Sequence, residues 1–178
     1  MTRPIPLWRR CLVLGLIVGL SGCGIGARSV GKIRSMAFAP SAVNCMERAM
    51  FFESNRSSRD GLVAVGSVVM NRVASDQYPD TVCGVVSQKG QFAPGIMTKP
   101  MKASGLPQVQ EAARAVLAGE RHPLIGNAMF FHQERARFSY DNMHYTVTAG
   151  GNAFYEKRKA ALVTQSTPPR AIEGLTGG

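Results

Sequence analysis

Residues 59–74 (RDGLVAVGSVVMNRVA) limit what this chain can fold into more than any other stretch. Leu62, Val65, Val69 and Val73 recur at helical spacing, while Val63, Ala64 and Val68 make the other sides apolar as well. A helix that is apolar nearly all round is stable only when the rest of the chain surrounds it. Gly61, Ala64, Gly66 and Ser67 are small enough to let neighbouring elements approach closely. Ser57 or Ser58, followed by Asp60, supplies an N-terminal cap. The remaining elements must therefore wrap one central helix.

Those elements are short. Residues 43–54 (VNCMERAMFFES) contain good helix formers and neither Gly nor Pro, and predict a helix. Residues 75–81 form a turn, 82–88 a short apolar segment, and 89–99 an irregular loop containing Gln91-Phe92-Ala93. A second amphipathic helix is expected over 107–119, with Pro107 near its start, Gly119 at its end, and Val109, Ala112, Ala113, Val116 and Leu117 as its buried stripe. Segments 127–132, 143–148 and 152–155 are rich in aromatic and β-branched residues and predict a small sheet or ribbon. The sum is one mainly helical α+β domain over 43–164, which fits a chain of 178 residues.

The flanks read differently. Arg3, Arg9 and Arg10 precede an apolar run from Cys11 to Leu20, as in an export signal, and the run is too short for a stable membrane span. It ends in Leu20-Ser21-Gly22-Cys23, which resembles a bacterial lipobox. That resemblance implies cleavage after Gly22 and a lipid on Cys23, which would anchor the chain to a membrane. Gly24, rather than Asp, after the Cys implies sorting to the outer membrane, facing the periplasm. Residues 23–42 are then the lipidated Cys and a flexible tether, and 165–178 (QSTPPRAIEGLTGG) are expected to be a disordered tail. Cys45 and Cys83 remain in an oxidising compartment and are expected to pair. A metal site would need more ligands, and His122, His132 and His144 show no metal-ligand spacing, so neither metal nor cofactor is expected. The net charge of +10 falls to +7 once the three signal arginines are set aside. It suits an anionic partner, but no groove-reading helix or aromatic–basic motif supports a nucleic-acid binder.

Glu53 is the most informative chemical position. Met46, Ala49 and Met50 share its helix stripe, so the carboxyl sits among apolar groups near a helix end. Desolvation there raises a carboxyl pKa, and an acid protonated near neutrality is what glycosidic cleavage needs to protonate the leaving oxygen. The stretch 49–53 (AMFFE), the run 60–73 ending in Asn71-Arg72-Val73, the segment 78–86 (YPDTVCGVV), Gln91-Phe92, residues 128–132 (AMFFH) and Phe154-Tyr155 resemble the SleB-like cell wall hydrolase family. The resemblance spans about residues 45–156.

It implies a lysozyme-like fold and cleavage of peptidoglycan between N-acetylmuramic acid and N-acetylglucosamine. It further implies a lytic transglycosylase, in which one Glu acts as acid and then base and the sugar's own 6-hydroxyl replaces water. Glu53 is the catalytic candidate. Gln91, Phe92, Asn71, His132 and Tyr155 are candidates for substrate binding, and each also has a purely structural reading. Two departures stand out. The family pattern Ala-Arg-Gly-Glu after the catalytic Glu is here Ser54-Asn55-Arg56-Ser57, and the His often found before Phe-Tyr is missing from Asn152-Ala153-Phe154-Tyr155. Two alternatives therefore stand beside the transglycosylase: a wall-binding lipoprotein without activity, and hydrolysis by water with a second carboxylate.

Overall fold

The computed structural model describes residues 40–102 and 104–177. The expected signal segment, Cys23 and the tether as far as residue 39 lie outside the described residues. The tether's last three residues do not extend it. They open helix α1, Pro40–Glu53, with proline in the first turn, where its missing N–H has no helical partner to lose.

Helix α2, Arg59–Val73, is the central helix that the sequence demands. Every residue from Asp60 to Val73 except Asn71 is buried. Ser58 caps it, its side chain accepting from the Gly61 N–H at 2.9 Å. Each fully buried valine contributes about 1.5–3 kcal/mol relative to exposure, so α2 is the largest single contributor to the core. Helices α1, α3 (Val82–Val86) and α4 (Leu106–Leu117) all pack on it, and α1 also packs on α3 and α4. The segment 82–88, read only as apolar, forms the short α3, with Thr81 as its cap. A disulfide joins Cys45 of α1 to Cys83 of α3.

The other layer is a three-stranded antiparallel sheet in the order β1 (Phe130–Gln133), β3 (Asn152–Lys157), β2 (Met143–Ala149). A two-residue turn, Gly150-Gly151, joins β2 to β3, with Ala149 paired to Asn152 across it. Both glycines have positive φ, 55° and 81°, the backbone that lets a two-residue hairpin follow the strand twist. This turn lies directly on the start of α2. An added Cβ on Gly61 would collide with the Gly150 backbone, so the close approach requires glycine there.

The segment expected to be a disordered tail is bonded to the domain as far as Leu175. The Tyr145 N–H donates to the Gln165 carbonyl, and the Ile172 N–H to Thr148, so the segment runs along the free edge of β2. Glu173 accepts from the Ser58 hydroxyl (2.5 Å) and the Gly150 N–H (2.9 Å). The Leu175 N–H donates to both oxygens of Asp60 at 3.1 and 3.0 Å. The physical reason is local. The tail satisfies a carboxylate buried in the first turn of α2, and Pro/Gly-rich composition does not reveal such partners.

Candidate functional site

Glu53 is the last residue of α1, and three elements converge on it. The loop after α3 supplies the Ala93 N–H, which donates to Glu53 Oε1 at 2.5 Å. Arg48, one turn earlier on α1, donates to the carbonyls of Ile96 (2.9 Å) and Lys99 (2.8 Å) and so fastens that loop to the same helix. From the sheet, Asn152 donates through Nδ2 to the Glu53 carbonyl at 2.5 Å. That carbonyl ends the helix and has no partner within it.

The half-buried Glu53 carboxyl has its pKa raised above the ordinary 4.5, chiefly by desolvation; the Ala93 N–H and the charge of Arg72 oppose the rise. Arg72 is itself buried at 3% exposure, and burial depresses its pKa. It donates to the Met129 carbonyl at 2.8 Å and lies between the rings of Tyr78 (5.2 Å) and Phe92 (5.3 Å). Glu53 thus remains protonated further toward neutrality than a free carboxyl, as a general acid must.

A cleft of about 380 Å3 opens over Glu53, lined by Gln133 at the end of β1, by Glu134 and Arg135 just after it, and by Gly150, Gly151 and Asn152 of the hairpin. Glu134 is the second carboxylate that the sequence reading did not find beside Glu53. Its only sequence signal is its place immediately after β1, and the pairing of β1 with β3 brings it across from the hairpin turn, with the Glu134 N–H donating to the Gly151 carbonyl at 2.9 Å. Asn152 supports the Glu53 backbone.

The structure disperses the other sequence candidates. Phe92 is buried, packed toward Phe131 (6.4 Å) and beneath Arg72, so its ring faces the core. Gln91 is exposed on the loop two residues before Ala93 but outside the lining of the Glu53 cleft. Asn71 spends both amide hydrogens on the Gly126 (3.0 Å) and Ala128 (2.9 Å) carbonyls, which fixes the approach to β1. His132 sits in an aromatic cluster with Tyr145, Tyr155 and Phe138. Its Nδ1 lies 2.8 Å from the Gln133 carbonyl and its Nε2 2.8 Å from the Tyr145 hydroxyl, so both ring nitrogens have internal partners. Tyr155 stacks on Phe130 at 5.4 Å and also stands outside the cleft lining. None of these five lines the cleft over Glu53.

The departures from the family pattern also find places. Ser54 is buried against Gly61 and Gly150, where a small residue is needed. Ser57 lines a separate depression with Arg56 and Gln108 and bonds to Asn55, outside the lining over Glu53. Among the described residues, no group of three or more potential ligands is placed to hold a metal ion, and no helix is long and apolar enough to cross a membrane.

Comparison with known proteins agrees with this arrangement. The chain is similar to the catalytic domain of the germination-specific lytic transglycosylase SleB from Bacillus anthracis, with 24% identity and a TM-score of 0.56, covering 67% of this chain and 97% of that one. It is similar to the catalytic domain of the Bacillus cereus SleB protein, with 25% identity and a TM-score of 0.54, covering 64% and 88%. The α+β fold is thus that of the lysozyme-like SleB domains. No curated protein sequence matches the chain. The model of the cell wall hydrolase family matches residues 56–155, more than half of the chain, beginning three residues after Glu53. The chain belongs to the cell wall hydrolase family.

Proposed function

We propose that this peptidoglycan-cleaving enzyme cuts glycan strands between N-acetylmuramic acid and N-acetylglucosamine as a lytic transglycosylase, with Glu53 as acid and then base. The observation that carries the reading is the placement of Glu53: a half-buried carboxyl with a raised pKa, held by Ala93 and Asn152 at the edge of an open cleft. In the first step Glu53 gives its proton to the glycosidic oxygen, the bond from that oxygen to the muramoyl C1 breaks, and the bond's electron pair leaves with the oxygen. In the second, the Glu53 carboxylate takes the proton of the muramoyl 6-hydroxyl as that oxygen bonds to C1. The glutamic acid is restored and the product carries a 1,6-anhydro ring. The Ala93 N–H holds the carboxyl oriented through both proton transfers.

One observation favours a second reading. Glu134 shares the cleft, and a second carboxylate is what hydrolysis by water requires. The product separates the two. Full-length chain and its Glu53→Gln variant are incubated with purified sacculi, and the released fragments are identified by mass spectrometry. Anhydro ends from the wild type alone are expected. Reducing ends would replace the transglycosylase with a hydrolase using Glu134, and equal release by the variant would remove Glu53 from the mechanism.

The signal-like segment and the lipobox resemblance further support a lipid-anchored enzyme of the cell envelope, facing the periplasm, with Cys23 as the lipid site. Intact-mass measurement of the envelope form and of Cys23→Ser tests this: the wild type is expected to carry the added lipid, and an unmodified Cys23 would refute it.

A further inference from the structure

A second opening adjoins the cleft over Glu53 at Glu134. Glu134 lines both, and beyond it lies a groove of about 430 Å3 between the 136–138 loop and residues 166–170 of the C-terminal segment. The wall made by that segment is fixed at both ends, by the Tyr145–Gln165 and Ile172–Thr148 backbone bonds. The opposite wall carries Phe138, 51% exposed, whose ring meets the edge of His132 at 4.8 Å and stacks on Tyr140 at 6.0 Å.

Two guanidinium groups face this groove without a carboxylate partner among the described residues. Arg137 donates only to the carbonyls of Glu134 (2.8 Å) and Ala136 (3.0 Å) of its own loop, and the exposed Arg170 makes no hydrogen bond or ion pair. The loop carbonyls orient the Arg137 fork but leave its charge uncompensated. Guanidinium forks in a part-apolar groove fit carboxylates, which they bind with two parallel hydrogen bonds.

We propose that this groove takes the stem peptide of the strand being cut, with Arg137 and Arg170 pairing with its carboxylates and Phe138 and Pro169 covering its short apolar side chains. A glycan strand is a linear chain of sugars with an acidic peptide branching from each peptide-bearing muramoyl residue. The branched ligand matches the branched site: the strand lies over Glu53, and the peptide leaves at the Glu134 fork. The Glu134 carboxylate at the fork accepts from peptide N–H groups or from an ammonium of the peptide. The inference rests on the reading that the Glu53 cleft holds the glycan strand, and it makes the bound C-terminal segment part of substrate selection.

The test uses full-length protein and uncross-linked glycan strands, either bearing stem peptides or stripped of them by an amidase. Cleavage rates give one ratio. Co-sedimentation of the Glu53→Gln variant with insoluble preparations of both kinds gives a second that does not depend on catalysis. The wild type is expected to favour peptide-bearing strands by about five- to ten-fold, the worth of two exposed charge-assisted pairs. In Arg137→Gln/Arg170→Gln, with native circular dichroism, both ratios are expected to fall toward one. Arg170→Glu is expected to invert the binding ratio. A wild-type ratio of one, or a double variant that keeps the wild-type ratio, overturns the proposal. Equal cleavage by the wild type and Glu53→Gln, with the binding ratio intact, would refute the role of Glu53 and leave the groove assignment standing.

Discussion

Replacing Gly61 with Ala is a sharp test of how the cleft is assembled. The added Cβ would collide with Gly150 Cα and stand 2.5 Å from the Ser54 hydroxyl. The obstacle is backbone, so the β2–β3 turn must move away from α2. The movement breaks two bonds, from the Asn55 N–H to the Gly150 carbonyl (3.1 Å) and from the Gly150 N–H to Glu173 (2.9 Å). Overpacking costs about 1–3 kcal/mol and each lost bond about 1 kcal/mol, against a helix-propensity gain near 1 kcal/mol. The net expectation is a loss of about 2–4 kcal/mol. Because Asn152 follows the same turn, it also moves off the Glu53 carbonyl, and cleavage should fall by on the order of 100-fold, as misplacement of a reacting group by about 1 Å does. Gly66→Ala is the control on the same helix. Its Cβ would meet the terminal methyl of Met50, a flexible group, and lie 3.2 Å from the Val116 methyls. Its stability should stay within about 1 kcal/mol of wild type, because propensity offsets a small shift. Urea unfolding and sacculus cleavage measure both variants. A Gly61→Ala chain as stable and as active as Gly66→Ala would refute the reasoning.

Four further expectations follow from charge and covalent structure. In the proposed mechanism Glu53 enters the reaction protonated, and its pKa is raised, so kcat/KM should hold through acid pH and fall as pH rises through that raised value; a profile falling at the ordinary carboxylate value of 4.5 would contradict it. The same shift means that wild-type stability declines as pH rises between 4.5 and the raised value, so the stability advantage of Glu53→Gln in urea should grow from acid to neutral pH. Burial works to raise the Asp60 pKa, but the hydrogen bonds from the C-terminal segment and the neighbouring His122 outweigh it and hold the carboxyl below its ordinary range. Its contribution is present above the unfolded pKa and lost as pH falls through the folded one; Asp60→Asn should cost about 1–3 kcal/mol near neutrality and hasten proteolytic cutting within 165–177, and unchanged cutting would count against the clamp. Reduction of Cys45–Cys83 should lower stability in urea by about 3–4 kcal/mol in the chain-entropy account, and an unchanged midpoint would refute that.

The parts of the fold that the sequence announces are those with periodic signals. The all-round apolar α2 is where the spacing of Leu62, Val65, Val69 and Val73 puts it, and α4 follows from the stripe Val109 to Leu117. The aromatic and β-branched segments are strands, and Gly150-Gly151 marks their turn. The raised pKa of Glu53 follows from its apolar helix stripe, while its catalytic candidacy comes from the family resemblance. The rest of the cleft was not legible. Glu134 and Arg135 lie in a polar stretch with no period, and only the pairing of β1 with β3 carries them to the hairpin. Phe92 was ambiguous because an aromatic in an irregular loop packs inward or outward by tertiary contacts alone, here those of Arg72 and Phe131. The C-terminal segment misled because its attachments are isolated bonds to distant residues, such as the Leu175 N–H reaching a carboxylate 115 residues away. Composition records none of that.

The hydrogen bond from Asn152 to the carbonyl of Glu53 spans 99 residues of sequence, and it makes the cleft depend on a long-range contact. The helices α1 to α4 lie within one run of 78 residues, Pro40 to Leu117, and can consolidate around α2 before the sheet is in place. Until the hairpin docks, the end of α1 lacks its partner and one wall of the cleft is missing. A chain whose helices have packed but whose hairpin has not docked is expected to lack the cleft, so the capacity to cut a wall depends on the sheet as much as on the helix that carries Glu53.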